Sequence, residues 1–422
     1  MKRAEYQEVK VQIFVDYDGY LADKYYDVSD AFIKINLRMN LYGLYNGLMI
    51  INDPDNIIEN NGDTIFMITV NDPKLGRPVV FFMGSTHNDM TIMQNGDSVK
   101  MYNLVPYHNR KSNRFSKKLT NNSSESLEMM LDELYEHCDT IKPTIIENSV
   151  EAYVPGAIWV QSFDRYMEFI HEKGLSSEND QFVFCWYDES NINVMDYEKL
   201  ISQDPIKGII MEESFVGNLG YLVEDVPVFK YEFMTEANRA ERSDAKNTTY
   251  VTTSNEKNGL YAEVYGTGTE MKMIDRSCVY REMTYSNGYE EINRSLVMSQ
   301  YEGYSKFRTY GDMRLKPSVV MTIEDHKGLI KGLNIIDDVL YEFTQTESYT
   351  HVYLMTSNNP IEEVDVERVV GVRGSNYPYK YGESKSDNYD QTAEDFYKNL
   401  NKGGVDNYNE VYTGNEEEFT RE

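Results

Sequence analysis

The sequence predicts a β-rich α+β protein in which two strand-rich segments flank a mixed α/β one. Short β-branched and aromatic runs alternate with turn residues from Tyr6 to about Val105. Two helix-period patterns follow, and then a second strand-rich set comes before residue 360. With 422 residues, 41% of them hydrophobic, the chain can bury a substantial core, and ordinary domain sizes divide it into about two to four units.

In the first segment the strand runs are Val9 to Val15, Ala31 to Leu37, Leu48 to Ile51, Ile65 to Val70 and Val79 to Met83. Asn52-Asp53-Pro54-Asp55-Asn56 and Asn60-Asn61-Gly62-Asp63 supply the reversals between them, so the set suits an antiparallel barrel or sandwich. His108-Asn109-Arg110-Lys111-Ser112-Asn113-Arg114, with Lys117 and Lys118, reads as a basic linker marking a boundary. Ser123 to His137 suits a helix. Ser162 to Glu172 suits another, because Phe163, Tyr166, Met167 and Ile170 fall at i, i+3, i+4 and i+7 behind a Ser162 N-cap. Gln181 to Tyr187 is a short apolar run fit for a buried strand, and Met195 to Ile201 reads as a brief helix. Strands resume at Ile209, Val226 to Met234, Thr248 to Thr253 and Leu260 to Val264, and a helix is expected from Ser286 to Tyr301. Lys306 to Tyr310, Val319 to Ile323, Leu333 to Phe343 and Thr350 to Thr356 complete the second strand-rich set. From Arg373 onward Gly, Asn, Asp, Glu, Lys and Tyr displace aliphatic residues, which predicts a tail without structure until bound.

Charge and composition exclude several function classes. The 41 Lys and Arg face 70 Asp and Glu, a net charge of −29, which is unsuited to an undirected nucleic-acid binder. No stretch reaches the ~20 apolar residues of a membrane span. The start, Met1-Lys2-Arg3-Ala4-Glu5-Tyr6, lacks the apolar core of a signal peptide, so assembly in a cytosol-like compartment without membrane insertion is expected. Cys138, Cys185 and Cys278, odd in number and unrelated in spacing, give no disulfide framework. Six His against 35 Tyr and 21 Met leave little material for histidine chemistry and much for contact surface.

The candidate chemical motifs are weak. Val11-Gln12-Ile13-Phe14-Val15-Asp16-Tyr17-Asp18-Gly19 resembles the first motif of haloacid-dehalogenase-type phosphatases, with Asp16 as nucleophile, Asp18 as acid and base, and Asp337-Asp338 as a magnesium motif. That core needs strand and helix in alternation, whereas more strand follows Asp18, so a hairpin with a polar turn is the simpler reading. An EF-hand at Asp16 fails because Tyr20 and Leu21 occupy a ligand and the glycine position. His171-Glu172 lacks the second His of a zinc-protease motif, and Gly266-Thr267-Gly268 lacks the rest of a phosphate loop. No catalytic, cofactor-binding or metal-binding residue is assigned. The residues describe an assembly component.

Longer segments carry a family resemblance. Leu41-Tyr42-Gly43 with Asn46-Gly47, Glu151-Ala152-Tyr153-Val154-Pro155 with Trp159, and Phe182-Val183-Phe184-Cys185-Trp186 leading to Val194-Met195-Asp196-Tyr197 form its first part. Glu282-Met283-Thr284-Tyr285, Asn287-Gly288-Tyr289-Glu290-Glu291, Met298 to Tyr304 and Thr350-His351-Val352-Tyr353 form its second. In this order they resemble the baseplate central hub protein of T-even-type contractile-tailed bacteriophages. The tail after about Gly371 is longer and more tyrosine-rich than the family pattern predicts, and the basic passage Arg110 to Lys118 has no counterpart in it.

The resemblance implies two antiparallel β-barrel domains per subunit and a trimeric torus of pseudo-sixfold shape, residing in the virion tail baseplate. It implies a structural, non-enzymatic hub that joins a trimeric central spike to the hexameric tail tube and leaves a channel for DNA ejection. The implied partners are two further copies, the spike or tail-lysozyme protein, tube or tube-initiator proteins and a tape-measure protein; DNA passes without specific binding and no cofactor is needed. The expected domains are a first barrel over 1–105, a mixed α/β domain over 106–205 continued by 240–305, a second barrel over 206–239 plus 306–368, and the tail 369–422. The hub of a phage-tail-like secretion particle shares the architecture, and a metal-dependent phosphatase is the reading from another class.

Overall fold

The computed structural model describes residues 7–17, 20–41, 45–53, 64–85, 90–94, 97–107, 117–146, 153–160, 166–167, 170–171, 183–189, 191–213, 225–235, 248–256, 259–265, 270–275, 301, 303–324, 334–356 and 368–372. Strands β1 (Glu8–Tyr17), β2 (Tyr20–Asp27), β3 (Phe32–Asn40), β4 (Tyr45–Asn52), β5 (Thr64–Asn71), β6 (Pro78–Ser85), β7 (Met90–Gln94) and β8 (Asp97–Pro106) form the first strand-rich unit. Their order is β2-β1-β5-β6-β8-β4-β3, with β7 added to β8, and every pairing is antiparallel. Alternation sets which face is inside: Ile35, Leu37 and Met39 of β3 are buried, as are Phe66, Ile68 and Val70 of β5. The β5–β6 reversal is held by the Asp72 carboxylate, which accepts from the Lys74 N–H at 2.9 Å, and it closes through Gly76 at φ +66°, a conformation that suits glycine.

The middle of the chain is mixed, as expected. It comprises β9 (Lys117–Asn122), the helix Ser123–Leu134, β10 (Thr144–Ile146), β11 (Tyr153–Val160), β12 (Val183–Asp188), β13 (Asn191–Asp196) and the short helix Tyr197–Ile201. Within the second expected helix, Tyr166, Met167, Ile170 and His171 are helical and buried; Phe163 and Glu172 lie outside the described residues. The run fit for a buried strand is β12, buried along its whole length. Its two faces enter different cores, with Val183, Cys185 and Tyr187 in the main core and Phe184 and Trp186 in a second one with Leu41, Val320, Ile335 and Met355. Burial on both faces is why the run is continuously apolar.

Two expectations here are corrected. The helix expected from Met195 begins at Tyr197, because Met195 and Asp196 still pair with β12 and Asp196 caps the helix by accepting from the Lys199 N–H at 2.6 Å. The basic passage is not linker to its end: Lys117 and Lys118 open β9 opposite Val160 and Trp159 of β11.

The remaining strands are β14 (Ile206–Ile210), β15 (Val226–Thr235), β16 (Thr248–Glu256), β17 (Gly259–Tyr265), β18 (Glu270–Asp275), β19 (Gly303–Tyr310), β20 (Val320–Glu324), β21 (Asn334–Thr344), β22 (Ser348–Thr356) and β23 (Arg368–Val372). Six of them close a barrel in the order β21-β20-β14-β15-β19-β22, with β22 returning to β21. The antiparallel expectation is corrected at one strand, since β14 runs parallel to both β15 and β20. A parallel neighbour needs a crossover, and the connection Met211 to Asp225 is long enough to supply one. β18, β16, β17 and β23 form a separate sheet, so one more strand follows the last strand-like run of the sequence, Thr350 to Thr356. The helix expected over Ser286 to Tyr301 lies, apart from Tyr301, outside the described residues. No described helix is long and apolar enough to cross a membrane.

Candidate functional site

The feature that most distinguishes this molecule is the seam between its two strand-rich units. β3 pairs antiparallel with β21, from Asn40 opposite Asp338 to Lys34 opposite Thr344, so one sheet runs through both. Side chains reinforce the ladder on its exposed face. Arg38 Nε donates to Asp338 Oδ2 at 2.8 Å, Lys34 pairs with Glu342 at 3.1 Å, and the Gln345 amide donates to the carbonyl oxygens of Ser29 and Phe32 at 2.9 and 2.7 Å. The seam begins where β21 changes partner. Ile336 still bonds to Val319 beside β20; Asp337 then occupies a bulge, and its carbonyl oxygen accepts from the Leu41 N–H at 2.8 Å. Burial, with Asp338 beside it, pushes the Asp337 carboxyl up to about 7. Its Oδ1 is shielded and has no partner.

A second contact zone ties three parts of the chain together: the β5–β6 turn, the β12–β13 turn and the loop Gly311 to Ser318 between β19 and β20. Met313 N–H donates to Asp72 Oδ2 at 2.7 Å, and Lys74 Nζ reaches Asp312 Oδ2 at 3.0 Å. Arg314 adds a fork to the same carboxylate, with Nε to Oδ1 at 3.0 Å and Nη2 to Oδ2 at 2.8 Å. Burial opposes a charge on Asp312, but the bonds and charges of Arg314 and Lys74 outweigh it and hold the carboxyl below its ordinary range. Lys316 pairs with Asp188, and Arg77 grips Glu189 through two bonds of 3.0 and 2.8 Å. Burial raises the Asp188 carboxyl despite the Lys316 charge. At Gly311 a Cβ would lie 2.1 Å from Gln7 Oε1 and 2.2 Å from Ser348 Oγ, so any larger residue at this meeting of the two units requires those side chains to move aside.

These groups are arranged for cohesion, since Asp338, Glu342, Asp72, Asp312, Asp188 and Glu189 each meet a cation or a backbone N–H; the Asp337 carboxyl is the exception. The phosphatase candidates are not brought together. Asp16 lies in β1 opposite Leu21 of β2, and Tyr17 faces Tyr20, which makes Asp16 part of a hairpin and not of a strand that feeds a helix. Asp18 and Gly19 lie outside the described residues. Asp337 and Asp338 sit on β21, with β5, β6, β8, β4 and β3 between it and β1. His171 is buried with its ring 5.5 Å from that of Phe184. Gly266-Thr267-Gly268 and Arg110 to Arg114 are outside the described residues. No cluster of three or more His, Cys, Asp or Glu with metal-binding geometry occurs among the described residues. Most ionic pairs of the two contact zones were missed in the sequence because their partners are far apart along it, 300 positions for Arg38 and Asp338 and 238 for Lys74 and Asp312.

Two family descriptions match consecutive parts of the chain: baseplate structural protein, domain 1, over residues 2–197, and baseplate structural protein, domain 2, over residues 200–371. The chain belongs to the phage baseplate structural protein family. The boundary between the two matches falls at the helix Tyr197–Ile201 of this baseplate protein, directly before the closed barrel. Its fold is similar to a tail protein from Neisseria meningitidis MC58, at 9% identity and a TM-score of 0.54, over 82% of this chain and 96% of that one. It is also similar to the 43 kDa tail protein of prophage MuSo2 from Shewanella oneidensis, at 9% identity and a TM-score of 0.51, over 82% of this chain and 98% of that one. No curated protein matches the baseplate protein in sequence.

Proposed function

We propose that this baseplate structural protein is the central hub of a contractile tail, a non-enzymatic homotrimer that joins the trimeric spike to the hexameric tail tube and leaves a channel for DNA. One observation carries the reading: two strand-rich units in a single chain share one sheet through β3 and β21. Three such chains present six similar units around an axis, which is how a threefold partner on one side is matched to a sixfold partner on the other. The ionic zone at Asp312 and Asp188 supports it, because a subunit that passes load from spike to tube gains from a rigid junction. The division proposed for this role is a first barrel over 1–105, mixed α/β parts over 106–205 and 240–305, a second barrel over 206–239 plus 306–368, and a tail over 369–422. The other proposed partners are the tube-initiator and tape-measure proteins, and assembly takes place in the host cytoplasm.

The test is reconstitution with the spike and tube proteins encoded in the same genome. The purified chain is expected to have three times the single-chain mass and to form one complex with both proteins. A monomer that binds neither overturns the hub reading. With Mg²⁺ and a chromogenic phosphate ester the chain is expected to release nothing above background, and turnover abolished by Asp16→Asn would establish the enzyme reading instead.

A further inference from the structure

The seam between the two units holds a polar defect at the point where it begins. On the β20 side the Ser318 N–H donates to the Ile336 carbonyl oxygen at 2.9 Å; on the β3 side the Leu41 N–H donates to that of Asp337 at 2.8 Å. The bulge inserts Asp337 between Ile336, opposite Leu354, and Asp338, opposite Tyr353, so two carboxyls stand in succession at one corner. Each has a shielded Oδ1 without a hydrogen-bond partner. Arg38 of β3 binds Asp338 Oδ2, through Nε at 2.8 Å and through Nη2.

Among the described residues no second cation faces the pair. From β21 itself Asp338 opposes a charge on Asp337; from β3 Arg38 favours one, and Asn40, opposite Asp338, is neutral. β22 presents Tyr353, and Lys306, opposite Tyr353 on β19, is bonded to Glu232 at 2.9 Å. The segment before β20 brings Ser318 and Val319, with Lys316 engaged by Asp188. The second core, which holds Leu41 and Ile335, contributes apolar side chains and the Tyr197 hydroxyl, bonded to that of Tyr301 at 2.8 Å. His351, the other titratable group of the seam, lies farther along β22 beside Glu342. Two shielded carboxyls facing one guanidinium are balanced when one of them keeps its proton.

We propose that Asp337, Asp338 and Arg38 form a proton-operated latch between the two units: a proton on Asp337 keeps the β3–β21 seam closed, and loss of that proton loosens it. Opening the seam returns Asp337 to water, where a carboxyl ionises in its ordinary range, whereas the closed seam holds it up to about 7. Opening therefore releases a proton between these limits. The opening constant rises about tenfold per pH unit from near 3.8 to about 7 and is level above. Asp312 works in the opposite sense, so acid tightens one contact between the units as it weakens the other. The latch acts within one chain and does not depend on the hub reading.

The test is residue-resolved hydrogen exchange on the full chain from about pH 5 to 8, corrected for the intrinsic pH dependence of exchange. Opening at the Leu41 amide and at the β3 amides of the seam is expected to increase about tenfold per unit up to about pH 7 and then to level off. In Asp337→Asn, whose side chain is neutral at every pH, that rise is expected to vanish and protection to stay at its acid level, while amides of β5 and β6 behave as in the parent. In Asp338→Asn the opposing charge is gone and Arg38 is released to Asp337, so the rise is expected to level off at lower pH. A flat profile at the parent's seam, or a rise that survives Asp337→Asn, overturns the latch. Where Asp337→Asn does not fold, Asp338→Asn decides: a profile identical to the parent's overturns it.

Discussion

Asp337 shows how one residue records the cost of joining two units. Its carboxyl is pushed up to about 7 by burial and by Asp338, against an ordinary value of 3.8. A carboxyl raised in this way favours the folded state while it is protonated, so its contribution is complete below 3.8 and is lost as pH rises through about 7. Asp337→Asn keeps the shape and the backbone carbonyl that Leu41 uses. It is expected to stabilise the protein by a few kcal/mol at about pH 8 and to have little effect near the ordinary carboxylate value, as read from urea melts across pH. Asp312 has the opposite sign. Its lowered value means a contribution present above the ordinary carboxylate range and lost as pH falls through the depressed one. Asp312→Ala removes the carboxylate that Lys74 and Arg314, both largely buried, share, and is expected to cost about 3–5 kcal/mol in the same melts.

At the scale of elements, β12 is the strand with the most to lose. Phe184 is fully buried in a core that also holds Leu41 of the first unit and Val320, Ile335 and Met355 of the closed barrel. Phe184→Ala removes a ring that three regions share and is expected to cost about 3–5 kcal/mol, measured as a shift of the denaturation midpoint. Cys185 points to the other face and is fully buried, so burial drives its thiol well above the ordinary range. It is expected to resist alkylation in the native protein and to react only on unfolding, which mass spectrometry of the labelled chain reads directly.

For the whole molecule the governing quantity is charge. The proposed hub role puts this chain in a ring on the path of ejected DNA, and such a ring must not hold phosphate, since each Lys or Arg that neutralises one adds sequence-independent affinity. A net charge of −29 supplies ample Asp and Glu for a repulsive bore. The assembled protein is therefore expected to show no micromolar binding of duplex DNA at physiological salt in a mobility-shift titration. Retention of the duplex under those conditions would contradict a DNA channel lined by this chain.

Strand periodicity located most strands of both strand-rich units to within a few residues, because alternation of apolar and polar side chains is a local property that each run carries by itself. Val183 to Tyr187 disclosed a buried strand for the same reason, and Asp16 to Tyr20 disclosed a hairpin. The limits of local pattern show at β14, where Ile206 to Ile210 looks alike whether its neighbours run parallel or antiparallel; only its place between β20 and β15 in the folded sheet decides it. Partner choice was equally hidden. That β21 leaves β20 at Asp337 for β3, that Arg38 meets Asp338, and that Asp312 gathers Lys74 and Arg314 depend on backbone groups brought together from opposite ends of the chain. By itself the sequence determined which residues form strands, which faces are apolar and the sign of the charge. The tertiary structure alone decided which strand edges are satisfied by which partners within the chain, because an edge is a row of hydrogen-bonding groups whose partner no local pattern names.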